Sequence, residues 1–263
     1  MKRTLIVGNW KMHLNPKEAA LLVKRLDGRI KAPRDIEVVL VPNMLVLQSI
    51  SGAVDRHKFG LAAQNAYYKD EGAFTGEVSF TMLRGLVDYT IVGHSERRIY
   101  FNENLETVRD KVQAAIRNGI SPILCVGETR QERSAGETRR VIHDQVTTAL
   151  ANLTAEDVKK VAIAYEPVWA ISTFGGEIAK PDDMQKALTS IRGLISELYG
   201  QAAAEAVRLL YGGSISADTA TGYLALDECD GALVGGNSLN YHQFSDIVEA
   251  AHRLKAGKDK TNG

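Results

Sequence analysis

A carboxylate that ends an apolar run is the residue best placed to do chemistry in this sequence. In Ala164-Tyr165-Glu166-Pro167-Val168-Trp169-Ala170-Ile171, residues 161–164 deliver Glu166 to the end of an expected buried strand, and Pro167 biases the backbone away from helix. Its side chain would face the space above the sheet, where apolar walls make a carboxylate a usable general base. A solvated acid opening a loop fits this stretch equally well, so the other reactive residues must decide.

Two glycine pairs, Gly212-Gly213-Ser214 and Gly235-Gly236-Asn237-Ser238, each follow an apolar run. Bare backbone lets N–H groups approach an anion closely, and two such turns at neighbouring strand ends make a phosphate site. Neither GxGxxG nor GxxxxGK[ST] occurs, so the anion is expected to be a small phosphate ester and not a nucleotide. Lys11 can place a cation near that phosphate or near an oxygen gaining negative charge, although most lysines simply sit in solvent. Asn9 and His94 are neutral donors able to polarise a carbonyl. His94 lies where a helix is expected to begin, and the helix dipole there favours neutral imidazole. The other histidines, His13, His57, His143, His242 and His252, show no metal-ligand spacing. One base, several donors and a phosphate anchor describe proton abstraction from carbon beside a carbonyl, with an enediolate to stabilise. General-base catalysis supplies roughly 10²–10⁴-fold, whereas each well-placed oxyanion donor contributes about 3–4 kcal/mol, so Glu166 needs its neighbours.

The elements that must position these groups are legible as short apolar runs at residues 4–8, 36–41, 59–63, 89–92, 122–126, 161–164, 207–211 and 231–234. Between them lie stretches of helical period, such as Ala19, Leu22, Val23, Leu26 and Ile30, or Phe244, Ile247, Val248, Ala251 and Leu254. Continuous apolar strands alternating with helices predict α/β architecture: a closed (β/α)₈ barrel in a single domain, with an open doubly wound sheet as runner-up. Asn15-Pro16, Thr154 and Lys180-Pro181-Asp182-Asp183 read as helix starts, and Gly119 as a helix end. The barrel is expected to occupy residues 1–254, with 255–263 as a polar, frayed tail. Barrel active sites are built after the strands, at the C-terminal face, and every reactive residue named above falls there.

Composition narrows the partners. Lys+Arg and Asp+Glu both number 32, so the net charge gives no reason to expect nucleic acid or an anionic membrane. Cys125 and Cys229 lie far apart with no CxxC pair, which reads as reduced thiols in a cytoplasmic protein. The N-terminal apolar run is too short for a signal peptide, and no stretch approaches a membrane span.

Taken together, Asn9-Trp10-Lys11-Met12, Gly93-His94-Ser95-Glu96-Arg97-Arg98, the Glu166 stretch, Tyr211-Gly212-Gly213-Ser214 and Gly231-Ala232-Leu233-Val234-Gly235-Gly236 resemble the signatures of the triosephosphate isomerase family, in order and over nearly the whole chain. The resemblance implies interconversion of dihydroxyacetone phosphate and glyceraldehyde 3-phosphate with no metal or organic cofactor. It implies that Glu166 shuttles the proton, that His94 polarises the carbonyl, that Lys11 offsets charge and that Asn9 supports the oxyanion, with Glu96 behind them. Ser172, Gly213, Ser214, Gly235 and Gly236 would hold phosphate. The loop through Thr75, Gly76 and Glu77 is similar to one that inserts into a second subunit, implying a homodimer. The stretch after Glu166 departs from the family: Ser172 and Phe174 replace glycines, and this lid, through Lys180, is two residues longer by direct count than the family's usual run. That departure raises an alternative, an isomerase of the same fold acting on a four-carbon ketose phosphate. A non-catalytic phosphate-binding homologue would be expected to lack one of Asn9, Lys11, His94 or Glu166, and all are present.

Overall fold

In a computed structural model, which describes residues 2–31, 34–174 and 176–261, eight parallel strands close on themselves in sequence order. They are β1 Thr4–Asn9, β2 Ile36–Val41, β3 Phe59–Ala63, β4 Tyr89–Val92, β5 Ser121–Val126, β6 Ala162–Tyr165, β7 Arg208–Tyr211 and β8 Gly231–Val234. Closure is made by β1 against β8, with Leu5 opposite Gly231 and Gly8 opposite Val234. The sheet is therefore the closed barrel, and the open-sheet alternative falls away. Each strand lies within a residue or so of an apolar run, because a strand buried on both faces has no polar position to blur its ends.

Alternation along each strand separates two cores. Leu5, Val7, Val39, Val41, Ile91, Ile123 and Leu210 point inward, and small residues at Ala62, Ala162 and Ala164 let this inner layer close. Ile6, Val38, Leu40, Leu124 and Ile163 point outward against the helices. Filling the inside with side chains makes the barrel a solid platform whose loops carry the chemistry.

The helix starts follow their caps. Asn15 opens Pro16–Arg29 with a reciprocal capping box to Glu18, Thr154 caps the short helix Ala155–Val158, and Pro181 begins Pro181–Tyr199. Helix Leu105–Arg117 ends at Asn118, just before Gly119. The final helix, Tyr241–Thr261, runs past Leu254 through residues expected as a frayed tail. No proline interrupts 255–261, so the backbone ladder simply continues. Among the described residues no helix is long and apolar enough to cross a membrane.

Candidate active site

Glu166 follows β6 directly. Its backbone N–H still donates to the Val126 carbonyl at 2.7 Å, so the barrel's own hydrogen-bond pattern fixes the residue that carries the carboxylate. The neighbouring strand end must come very close to allow this. At Gly127, after β5, an added Cβ would stand 1.9 Å from the Glu166 carbonyl oxygen, so only glycine fits. The side chain is fully buried. Oε2 accepts from the Ser95 N–H at 3.1 Å, while Oε1 lies 3.1 Å from His94 Nε2 without hydrogen-bond alignment. A buried carboxylate oxygen left unsatisfied is costly, and such atoms concentrate where a ligand completes the set.

His94 caps the helix Ser95–Tyr100, its Nδ1 accepting the Glu96 N–H at 3.3 Å. In the neutral ring that acceptor role leaves the proton on Nε2, which faces Glu166. The helix's own first N–H groups thus select the tautomer of the neutral ring.

Lys11 adopts φ 51, a left-handed conformation unusual for a residue with a side chain. Gln64 holds it there, donating to the carbonyls of Lys11 at 2.7 Å and Val41 at 3.1 Å, and Asn9 Oδ1 takes the Lys11 N–H at 3.0 Å. The ammonium pairs with Glu96 at 2.5 Å. Its Cε is also 3.6 Å from where a side chain would start at Gly235, so it lies beside one glycine turn. Burial alone would push the Glu96 carboxyl up; the hydrogen bond and charge of Lys11, with a hydrogen bond from the Thr173 hydroxyl, outweigh burial and hold it below the usual carboxylate range.

The two glycine turns face each other across one end of the same cavity. Asn237 Nδ2 donates to the Ile215 carbonyl at 2.6 Å, bridging them. The cavity, of about 240 Å³, brings together Asn9, Lys11, His94, Glu166, Gly213, Ser214, Gly235 and Gly236, with Ile171 and Ile178 at its mouth. Glu96 stands behind it, through Lys11. Pockets for drug-sized ligands span about 300–1,000 Å³, so this one suits a smaller molecule. One placement differs from expectation: Ser214 donates both its N–H and its Oγ to the Ala170 carbonyl, at 3.3 and 2.8 Å. The Ser172 side chain lies outside the described residues, as does Gly175. Thr75, Gly76 and Glu77 lie exposed on the long loop after β3, away from this cavity.

Glu128, not singled out from the sequence, is fully buried beneath the lid. It accepts from Tyr165 Oη at 3.0 Å and from Trp169 Nε1 at 2.9 Å, and its carbonyl takes the Val168 N–H at 3.1 Å. It therefore fixes the first turn of the lid, Val168–Ala170. Gln64 and Glu128 both follow strand ends, but the partners that give them their roles are remote in sequence: Lys11 for Gln64, Tyr165 and Trp169 for Glu128.

The triosephosphate isomerase family model matches residues 4–251. A triosephosphate isomerase of Clostridium perfringens is 44% identical over 249 residues, covering 94% of this chain and 99% of that protein. That of Carboxydothermus hydrogenoformans is 44% identical over 95% of this chain and 100% of its own length, and that of Acetivibrio thermocellus 45% over 94% and 98%. With the match running from the first strand into the last helix, the chain belongs to the triosephosphate isomerase family.

Proposed function

We infer that the chain interconverts dihydroxyacetone phosphate and D-glyceraldehyde 3-phosphate by proton transfer through an enediolate. The observation that carries this reading is the meeting of a buried, half-satisfied carboxylate, an Nε2–H imidazole, an ammonium and two glycine turns in one small cavity. Glu166 Oε1 takes the proton from carbon and returns it to the adjacent carbon. His94 Nε2–H, beside that oxygen, polarises the carbonyl and moves protons between the two substrate oxygens. Asn9 spends its Oδ1 on Lys11, which leaves its amide N–H₂ to support the oxyanion. Lys11 offsets the developing charge, and Glu96 holds it in reserve until substrate competes for it.

Gly213, Ser214, Gly235 and Gly236 bind the phosphate through backbone N–H groups, joined by the Ser172 N–H when the lid closes. Ser214 must give up the Ala170 carbonyl to do so, which links phosphate arrival to release of the lid's first end. The relatives' shared name supports a triose over a four-carbon substrate despite the longer lid.

A homodimer belongs to the same reading. Large apolar side chains left in solvent concentrate in the first three βα units: Met12 at 93% exposure, Leu45 at 79%, Met82 at 66%, with Phe74 beside Thr75. Tyr67 and Phe74 pack against each other within the loop, centroids 4.7 Å apart and planes tilted by 45°, stiffening the segment that carries Thr75, Gly76 and Glu77 into the partner. A cytoplasmic setting accords with two cysteines that lie far apart in the sequence and form no CxxC pair.

The test is turnover of glyceraldehyde 3-phosphate, coupled to reduction of the product, for the native chain and for Glu166→Asp. Native turnover with a loss on the order of 10²-fold in the variant is expected, because withdrawing the carboxylate by about an ångström misplaces the base. A native chain that binds small phosphate esters but does not isomerise this substrate would refute the reading.

A further inference from the structure

The lid is held at both ends by the βα unit that also carries one phosphate turn. Its first end is held by Ser214 on the Ala170 carbonyl. Its far end is Ala179, buried, immediately before the stretch Lys180-Pro181 at which the helix Pro181–Tyr199 begins. There the Ala179 carbonyl accepts a 2.7 Å hydrogen bond from Tyr223 Oη, and both groups are out of solvent. Tyr223 belongs to the helix Ala217–Leu224, which follows β7. Its ring stacks on Tyr211, with centroids 4.1 Å apart and planes 26° from parallel.

Tyr211 continues the connection. Its hydroxyl is buried with no hydrogen-bond partner among the described residues. It presses on the glycine turn so closely that a Cβ at Gly213 would stand 2.3 Å from the oxygen. A continuous path therefore runs from Ala179 through the Tyr223 hydroxyl and two stacked rings to Gly213. A side chain needed only for packing would be apolar at a position 2% exposed; here a hydroxyl is brought into the interior and spent on a loop carbonyl.

We propose that Tyr223 is a positioning residue for the isomerisation, holding the far end of the lid in register with the phosphate turn so that the two act on the substrate as one unit. This rests on the isomerase reading above. Tyr223 touches no reacting atom; its effect reaches substrate only through Ala179 and Gly213, and therefore only when a phosphate engages that turn.

Tyr223→Phe keeps the stacked ring and leaves the Ala179 carbonyl buried without a donor. Its kcat/KM on glyceraldehyde 3-phosphate should fall about tenfold, while its slow turnover of unphosphorylated glyceraldehyde stays at the native level. Equal losses on both substrates would mean a general structural defect, and no loss on either would mean a passive hydroxyl; both overturn the proposal. A readout independent of catalysis is chymotrypsin cleavage after Phe174 in the folded protein, which should accelerate about tenfold in the variant as the lid's far end is released. An unchanged rate overturns the proposal as well. A native chain inactive on the phosphorylated substrate would instead refute the isomerase assignment.

Discussion

The two mouths of the barrel both bury ionisable side chains, and they treat them in opposite ways. At the N-terminal mouth Arg208 donates to Glu37 at 2.7 Å and to Tyr89 Oη at 2.6 Å, and Tyr89 Oη donates to Glu37 at 2.6 Å, a closed triangle joining β2, β4 and β7. At the C-terminal mouth Glu166 Oε1, Ser95 Oγ and Tyr211 Oη are buried without hydrogen-bond partners among the described residues. One end is closed on itself, while at the other Glu166 opens onto the cavity. The same strands supply both, so the difference lies in what the sequence places at each strand end.

The comparison breaks most sharply at Glu166. Glu166→Gln should lower kcat roughly 10²–10⁴-fold while leaving the denaturant midpoint equal to or above native, since it removes a buried, half-satisfied charge. A marked loss of stability would mean that the carboxylate is structural. The converse change is Arg208→Met, which leaves Glu37 without its cation. It should cost about 3 kcal/mol by urea unfolding with turnover per folded molecule unchanged, and a fall in kcat would erase the distinction between the two ends.

Acid and alkali sharpen the same contrast. Glu37 is held below its ordinary value of 4.5: burial pushes it up, but the Arg208 charge and the hydrogen bonds from Tyr89 and Arg208 outweigh that. Its contribution to stability is present above the unfolded-state value and lost as pH falls through the lower folded one. Burial, first, and the Glu37 contacts push Tyr89 up to about 12. Its contribution is full below its unfolded value of 10.0 and lost as pH rises to about 12. Unfolding free energy measured against pH should therefore decline on both flanks, and Tyr89→Phe should flatten the alkaline one.

The smallest effect belongs to the lid. Phe174 packs on Tyr100 with ring centroids 5.8 Å apart, and such pairs contribute about 0.5–1.5 kcal/mol. Tyr100→Leu should therefore change kcat/KM by less than about tenfold, read in the same coupled assay. A larger change would place this contact on the working surface and not merely beside it.

How much of this was readable in the residues follows from how local each signal is. The strands were plain because double-sided burial writes itself as an unbroken apolar run, as in Ile36–Val41. Glu166, His94, Lys11 and the glycine pairs were legible because each follows such a run directly. Tyr223 was not: it sits mid-helix, and its partner Ala179 lies 44 positions away, a relation only the closed fold creates. Glu128 escaped for the same reason, since its partners Tyr165 and Trp169 come from the next strand and its loop. Residues 255–261 continue the last helix, because polarity alone is no signal that ends one.

The close approach at Gly127 has a consequence for inheritance. Residue 127 touches no substrate, yet any replacement drives a methyl group into the carbonyl of Glu166 itself and displaces the base. A saturation library scored for growth on a three-carbon source would then show position 127 as intolerant as position 166, while Ile178, at the mouth of the pocket and 71% exposed, would accept many residues. Mutational burden in this enzyme would thus fall on a silent neighbour of the reaction as heavily as on the reaction itself.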